Sequence, residues 1–481
     1  MGVLSVPDQL GLRCRGEWVS KLAFADDLVL CAENAVDLQC IVDRAMPVVK
    51  ACGLRVNEQK SVSVTWLACG KEKRRIYDHR PTIMVDNRPI AAMGVDGSFK
   101  YLGVKFSPSG REKLCCGLRA SLETLRSSRL KPQQKVFFLV HNLLPAYTHE
   151  LTFSRLHAGT LKRYDTYVRA FVRKVLYLPK DTPTTFFHAS TKDGGMGIPS
   201  LRWGVPINAA KRGPEDYAHL RKYRGIEKLV TTYQQVLRIF RKELWDSCDG
   251  TGLRSHKEVP QAHAWILDGS SMLRGHSYIN CVNMRANTLF SRSRAARGRG
   301  IPHQCSRGCP QPETLNHIVQ VCFCTHGPRM KRHNGLVNYL KRGCEQRGNT
   351  VHAEPLFDGP SGALKPDLVV YGRDQIAVID VQVINDQFPL KVGHGNKVSK
   401  YSVLREKLKG LRSREPIFTS LTMNWRGAIC GASAEELLGL GLISRRDLKV
   451  LSVRCLELGV DCWRIHRKMT SFSGRVMYDP G

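Results

Sequence analysis

The chain has 481 residues, room for about three domains of ordinary size, and its 42% apolar and 24% charged content describes a globular protein, not a disordered or fibrous one. Lysine and arginine total 74 against 42 aspartates and glutamates, a formal charge of +32 that points to a polyanionic partner, nucleic acid ahead of an acidic membrane surface. No apolar run reaches the roughly 18–20 residues that span a bilayer and no basic-then-apolar signal opens the chain, so the 17 scattered cysteines read as reduced thiols of the cytosol or nucleus.

In chain order, Ser20 to Ala32 (SKLAFADDLVLCA) comprises two apolar half-strands meeting at a carboxylate pair, the pattern of a β-hairpin. Apolar residues at helical spacing run from Val36 to Cys52 and stop at Gly53, and strands are expected at Ser61–Leu67 and Tyr101–Phe106. From about Leu114 to Leu178 the pattern turns helical and basic. A glycine-rich turn, DGGMGIPSLRWG, occupies Asp193 to Gly204, and more helix is expected to about Trp265. Ser291 to Gly300 (SRSRAARGRG) is basic, poor in apolar residues and the best candidate linker. A Cys/His-rich unit follows at 305–333, then a compact α/β segment, then basic helix. The expected divisions are 1–110, 111–290, 291–334, 335–425 and 426–481.

Asp26 and Asp27, in Phe24-Ala25-Asp26-Asp27, stand between apolar runs, where an ionised carboxylate is costly without a cation. At a hairpin tip such a pair can ligate Mg²⁺ or Mn²⁺, and two ions of this kind serve nucleotidyl transfer. The bland alternative is a solvated Asp-Asp turn. The stretch resembles the hairpin that carries the metal-binding aspartates of reverse transcriptases, and with its downstream segments it is similar to the palm of non-LTR retrotransposon polymerases. That resemblance implies a role for Lys60 in pyrophosphate departure and a primer grip at Tyr101, Leu102 and Gly103. It also makes Gly194, Gly195 and Gly197 the glycine motif that follows a helical thumb. A palm of this family needs a further aspartate upstream. Only 25 residues precede Asp26, with Asp8 in an unsuitable PDQ context, so the chain as it stands is expected not to polymerise.

Cys305, Cys309, His317 and Cys322 have the form C-x3-C-x7-H-x4-C, three thiolates and one imidazole that suit a closed, structural, tetrahedral Zn²⁺ site. Buried free thiols are the alternative, and Cys324, His326 or His333 stands near enough in sequence to replace a ligand. The unit resembles the CCHC knuckle between polymerase and endonuclease in site-specific non-LTR retrotransposons, and the preceding MRANTLFSRSRAARGRG resembles the segment before it. On that resemblance Arg285, Arg292, Arg294, Arg297 and Arg299 contact the nucleic-acid backbone and add salt dependence without base readout. A solvated basic linker is the competing reading.

Leu364 to Ile384 reads as two strands with a turn at Gly372-Arg373-Asp374. Asp367 opens the first, and Asp380 interrupts the second amid isoleucines and valines, a local violation of pattern expected at functional sites. Adjacent strands would bring both carboxylates to one divalent ion. Downstream, Lys397, Lys400 and Tyr401 fall at i, i+3 and i+4, on one helix face, where a lysine can position a water and offset phosphate charge. The set resembles the restriction-like PD-(D/E)xK nuclease fold. Gln382 stands where that fold usually has its lysine, and the resemblance assigns the role to Lys397 and Lys400, with Glu354 as an auxiliary ligand.

The expectation is an α+β multidomain chain: partial polymerase palm, helical thumb, zinc knuckle and PD-(D/E)xK-type α/β endonuclease. It is similar to the C-terminal part of a type-1, R-two-like retrotransposon polyprotein. The resemblance implies target-primed reverse transcription in the nucleus, with chromosomal DNA at ribosomal genes and the element's RNA as partners and no membrane. For this chain it implies Mg²⁺-dependent DNA nicking; the competing reading is a non-catalytic nucleic-acid-binding relic.

Overall fold

The computed structural model describes residues 8–471, apart from 15, 71–73, 109, 112–116, 154–155, 212–229, 270–271, 360–361, 374 and 413–414. The chain divides into two compact units, Met1–Cys115 and Cys116–Gly481, and the architecture is mixed α+β. Among the described residues no helix is long and apolar enough to cross a membrane.

In the first unit, β1 (Lys21–Phe24) and β2 (Asp27–Leu30) form the expected hairpin, with Phe24 opposite Asp27, so Ala25 and Asp26 make a two-residue turn. Ala25 has φ +54°, the sign a tight hairpin needs and one that an alanine adopts at a cost. Helix α1 (Ala35–Ala51) starts where the Asn34 side chain accepts the Asp37 amide at 2.9 Å. Its Val42, Ala45 and Met46 bury against Ile83, Val85 and Ile90. The strand expected at Tyr101–Phe106 is instead β3 (Phe99–Tyr101) turning into β4 (Val104–Ser107). Leu102 and Gly103 take φ +47° and +83° between them, a tight turn that breaks the apolar run. Ser61–Leu67 likewise splits into Val62–Ser63 and Thr65–Cys69, which join different sheets.

The second unit opens with helices at Leu118–Ser127, Pro132–Phe138, Leu144–Thr152 and Ala158–Leu176. The start expected near Leu114 and part of the run expected to Trp265 lie outside the described residues. Thr251–Glu258 and Pro260–Ile266 are 3₁₀ turns where α-helix was expected, with Pro260 opening the second. The glycine-rich turn is a packing device: a Cβ on Gly195 would sit 2.2 Å from the Ala189 carbonyl oxygen. Helix α2 (Gly275–Arg285) follows, and the candidate linker holds a short helix, Arg292–Ala295.

Helix α3 (His326–Gln346) leads into a four-stranded sheet of β5 (Thr350–Ala353), β6 (Leu368–Tyr371), β7 (Ile376–Ile384) and β8 (Pro416–Asn424), in that spatial order. The first three run antiparallel, and β7 pairs parallel with β8 through the crossover helix α4 (Leu390–Ser402). Period-two alternation explains the layers. Ala377, Ile379 and Val381 join one core with Leu336 and Leu340 of α3 and Leu448 and Leu451 of the last helix, α6, which follows α5 (Gly431–Gly439) and spans Arg445–Ser471. Ile376 and Val378 face the opposite way, toward Tyr401 of α4. Asp380 continues that second face, where an apolar residue would ordinarily stand.

Candidate functional site

Asp380 is 4% exposed, and the parallel register places it opposite Ser420. Lys397 reaches from α4 so that its Nζ lies 2.7 Å from the buried Asp380 Oδ2, an ion pair across the site. Asp367 sits one residue before β6. Its Oδ2 accepts the Val381 amide at 2.6 Å, which fixes the carboxylate beside Asp380 on the neighbouring strand. Its Oδ1 lies 3.0 Å from His333 Nε2, on α3. That hydrogen bond and the negative charge of Asp367 and Asp380 push the His333 imidazole above its ordinary range against the effect of burial.

The remaining predicted residues take distinct positions. Tyr401 is buried and donates to the Lys365 carbonyl at 3.1 Å; burial first, then Asp380, pushes its phenol up. Lys400 is exposed and sits over the Tyr401 ring, 4.9 Å from the centroid. Glu354 has φ +52° and pairs with Lys365, while its amide donates to the Asp367 carbonyl at 2.9 Å. Gln382, in the position of the missing lysine, bridges the Gly393 carbonyl and Thr422 at 2.7 and 2.8 Å, tying α4 to β8. One turn before Lys397, buried His394 contacts Ser420, Ser433 and Glu436 at 2.9, 3.1 and 3.2 Å. The helix that delivers Lys397 is therefore pinned by polar contacts underneath.

At the Cys/His cluster the ligand atoms of Cys305, Cys309, His317 and Cys322 all lie within 4.8 Å of one another. Sγ–Sγ separations are 3.9 Å for Cys305–Cys322 and 3.8 Å for Cys309–Cys322. A tetrahedron with zinc–sulfur bonds of about 2.3 Å has edges of about 3.8 Å, so the spacing is that of a zinc site. His317 contacts Gln311 Oε1 through Nδ1 at 3.0 Å, leaving Nε2 buried and unpartnered, the arrangement in which an outer-sphere group orients a ligand. Burial first, and then neighbouring thiols, pushes Cys305 and Cys322 up to about 12, so only a cation would hold them as thiolates.

Of the alternative ligands, Cys324 stays at the cluster, 3.3 Å from Cys322, whereas His333 pairs with Asp367. His466 of α6 was missed by sequence reasoning. It lies 3.8 Å from Cys305 although 161 residues separate them, a distance in the chain over which spacing carries no signal.

The arginines divide. Arg285 cannot serve as a backbone contact in this fold: it is fully buried and donates to the Gly194 and Thr191 carbonyls at 3.2 and 2.8 Å and to His263 at 2.9 Å. Arg294 and Arg297 are ion-paired with buried Asp249 at 2.8 and 2.6 Å. Burial would raise Asp249, but the two guanidiniums hold its carboxyl below the usual range. These bonds make much of 291–300 a packed strap where a free linker was expected. Arg292 and Arg299 are exposed. In the first unit Asp26 and Asp27 share an exposed hairpin tip, Lys60 lies on a 3₁₀ turn capped by Asn57, and Tyr101–Gly103 form the tip of a different sheet.

No protein-family model matches the chain. Individual relatives do, and they establish the class: the chain belongs to the Pol polyproteins of retrotransposable elements. Within that class its relatives come from R2 elements. The Retrovirus-related Pol polyprotein from type-2 retrotransposable element R2DM of Drosophila melanogaster is 32% identical over 499 aligned residues, 98% of this chain and 47% of its own length. Those from type-1 retrotransposable element R2 of Nasonia vitripennis and Bradysia coprophila are 28% and 29% identical, covering 88% and 90% of this chain and 43% and 53% of their own. The chain thus spans about half the length of the curated relatives it matches.

Proposed function

We propose that this chain supplies the DNA-nicking endonuclease of an R2 Pol polyprotein that works by target-primed reverse transcription. The observation that carries the reading is the pair of carboxylates on neighbouring strands: Asp380, buried and ion-paired with Lys397, beside Asp367, which the Val381 amide orients. Two carboxylates brought together beside a single lysine carry more negative charge than one ammonium offsets, so the residues fit a hard divalent ion, Mg²⁺ or Mn²⁺. On this reading 335–425 is the restriction-like nuclease, 291–334 carries the zinc knuckle, 111–290 is thumb and connection, 1–110 is palm and 426–481 is the basic C-terminal region. Asp26 and Asp27 would hold metal in polymerisation, with Lys60 and Tyr101–Gly103 at pyrophosphate and primer.

Asp367 and Asp380 would hold the ion of the nuclease, which when bound polarises the scissile phosphate and acidifies a water. Val381 and His333 keep Asp367 oriented, and Lys397 offsets the charge of the phosphate that enters. Hydrolysis joins the water oxygen to phosphorus as the P–O3′ bond breaks, and the proton ends on the departing 3′-oxygen. The resulting 3′-hydroxyl is the primer. Chromosomal DNA at ribosomal genes, element RNA and a nuclear site of action complete the proposal.

The test is nicking of supercoiled plasmid carrying ribosomal DNA, in Mg²⁺ or EDTA. Mg²⁺-dependent nicking lost in Asp380→Ala is the expected result, and nicking retained by that variant would overturn it. Tight, salt-sensitive binding without nicking by the wild type would instead establish a non-catalytic relic.

A further inference from the structure

A cavity of 760 Å³ opens between α3 and the end of β7, lined by Lys397 and His333, the partners of Asp380 and Asp367. Its volume lies in the range of sites that hold small ligands. Three features define its chemistry. None of its lining residues is an aspartate or glutamate, whereas Lys397, Arg329 and Arg332 contribute permanent positive charge. The two arginines are held in place by bonds to Gln320, so their charge is fixed at the wall. Two large apolar side chains stand exposed in it, Met330 at 46% and Phe388 at 43%. Asn385 and Gln387 sit beside Phe388; among the described residues Asn385 spends its Oδ1 on the Gln387 amide and Gln387 its Nε2 on Thr251, which leaves Asn385 Nδ2 and Gln387 Oε1 for a ligand.

Cations for phosphate, an aromatic ring and a thioether for a flat face, and a free amide donor and acceptor for a polar edge are together the requirements of a nucleotide. We propose that this cavity binds an unstacked nucleotide of the cut DNA strand, adjacent to the scissile phosphate, with Phe388 stacked on its base. The proposal rests on the nuclease reading, because continuity with Asp367 and Asp380 is what makes the cut strand its occupant. A base drawn out of the stack here holds the neighbouring phosphate at the carboxylates and favours sites that are already frayed or mismatched.

The test uses the full chain in Ca²⁺ and two fluorescent hairpin DNAs, one blunt and one with a three-nucleotide single-stranded extension carrying 2-aminopurine. The wild type is expected to bind the extended probe more tightly and to change its 2-aminopurine emission. Stacking of one base on an aromatic ring is worth enough that Phe388→Ala should weaken the extended probe by about 5- to 100-fold. Binding of the blunt probe should stay as it is, and Phe388→Trp should preserve the preference. Equal binding of both probes by Phe388→Ala and wild type, or a Phe388→Trp variant as weak as Phe388→Ala, would overturn the subsite. Binding is read without cleavage, so a failure to nick plasmid refutes the nuclease alone, and nicking with no probe discrimination refutes the subsite alone.

Discussion

Replacing Lys397 by methionine removes an ammonium and keeps its apolar stem, which isolates the electrostatic role of the α4 lysine. The Asp380 side chain is 5% exposed and that of Lys397 28%, with 2.7 Å between the charges. Removing one partner of a fully buried pair costs about 3–5 kcal/mol. Water can reach Asp380 through the space Lys397 leaves, so screening reduces the expected cost to about 2–3 kcal/mol. That corresponds to roughly 4–12 °C in melting temperature for a large domain. Thermal unfolding in EDTA reads this loss, and hydrogen exchange over Leu390–Ser402 localises it. Two further results are required. Millimolar Mg²⁺ should restore most of the lost stability, because a divalent ion replaces the missing charge, and Asp380→Asn combined with Lys397→Met should recover it without metal. Equal melting of Lys397→Met and wild type in EDTA, or no response to Mg²⁺, would refute the argument that Asp380 is a buried charge that Lys397 or a divalent ion must compensate.

Other consequences follow from the same geometry. Zinc analysis should find Cys322→Ser devoid of the knuckle ion, and chelation should lower the melting temperature of the wild type without further affecting that variant. In DNA-binding titrations against salt, Arg292→Ala and Arg299→Ala should each reduce the slope by about 1. Arg285→Met should leave the slope unchanged and cost about 2–3 kcal/mol by stranding the two carbonyls and the histidine that it serves. Burial, and then the charge of Arg285, lowers His256 and His263 well below the ordinary imidazole range. The unfolded imidazoles therefore take up protons first as pH falls through 6.5, so their contribution to stability is full above that pH and is lost below it. Melting curves between pH 7.5 and 5 should show the loss, and His263→Gln should make it shallower.

The acidic site was legible in the sequence because it broke a rule. Period-two alternation along β7 requires an apolar residue where Asp380 stands, and a helix two turns into the crossover had to carry its cation. The soft-donor cluster was legible because its four residues are local, separated by spacings that a turn and one helical turn dictate. What stayed hidden was long-range. Nothing in the sequence joins His466 to Cys305, or His333 to Asp367, since each pair is brought together by helices packing on a sheet. Arginine is ambiguous for a related reason. A basic run reads the same whether its guanidiniums face solvent, as Arg292 does, or fill the interior against carbonyls, as Arg285 does. The second hairpin was missed, because nothing in the apolar run at Tyr101–Phe106 announces that Leu102 adopts a positive φ.

The Cys/His cluster and the acidic site are joined mechanically. Cys322 is followed within four residues by α3, whose Arg329 donates to the Gln320 and Cys322 carbonyls at 2.5 and 3.4 Å. Gln320 in turn donates to the Val383 carbonyl on β7 at 3.0 Å, three residues beyond Asp380. The same helix carries His333 to Asp367, two turns from its start. A metal bound at Cys322 would therefore fix the origin of α3, and the position of α3 sets both the orientation of Asp367 and one wall of the cavity. Loosening the cluster should accordingly be felt at Asp367 and along the α3 face of the sheet, where Leu336 and Leu340 pack against Ala377 and Ile379.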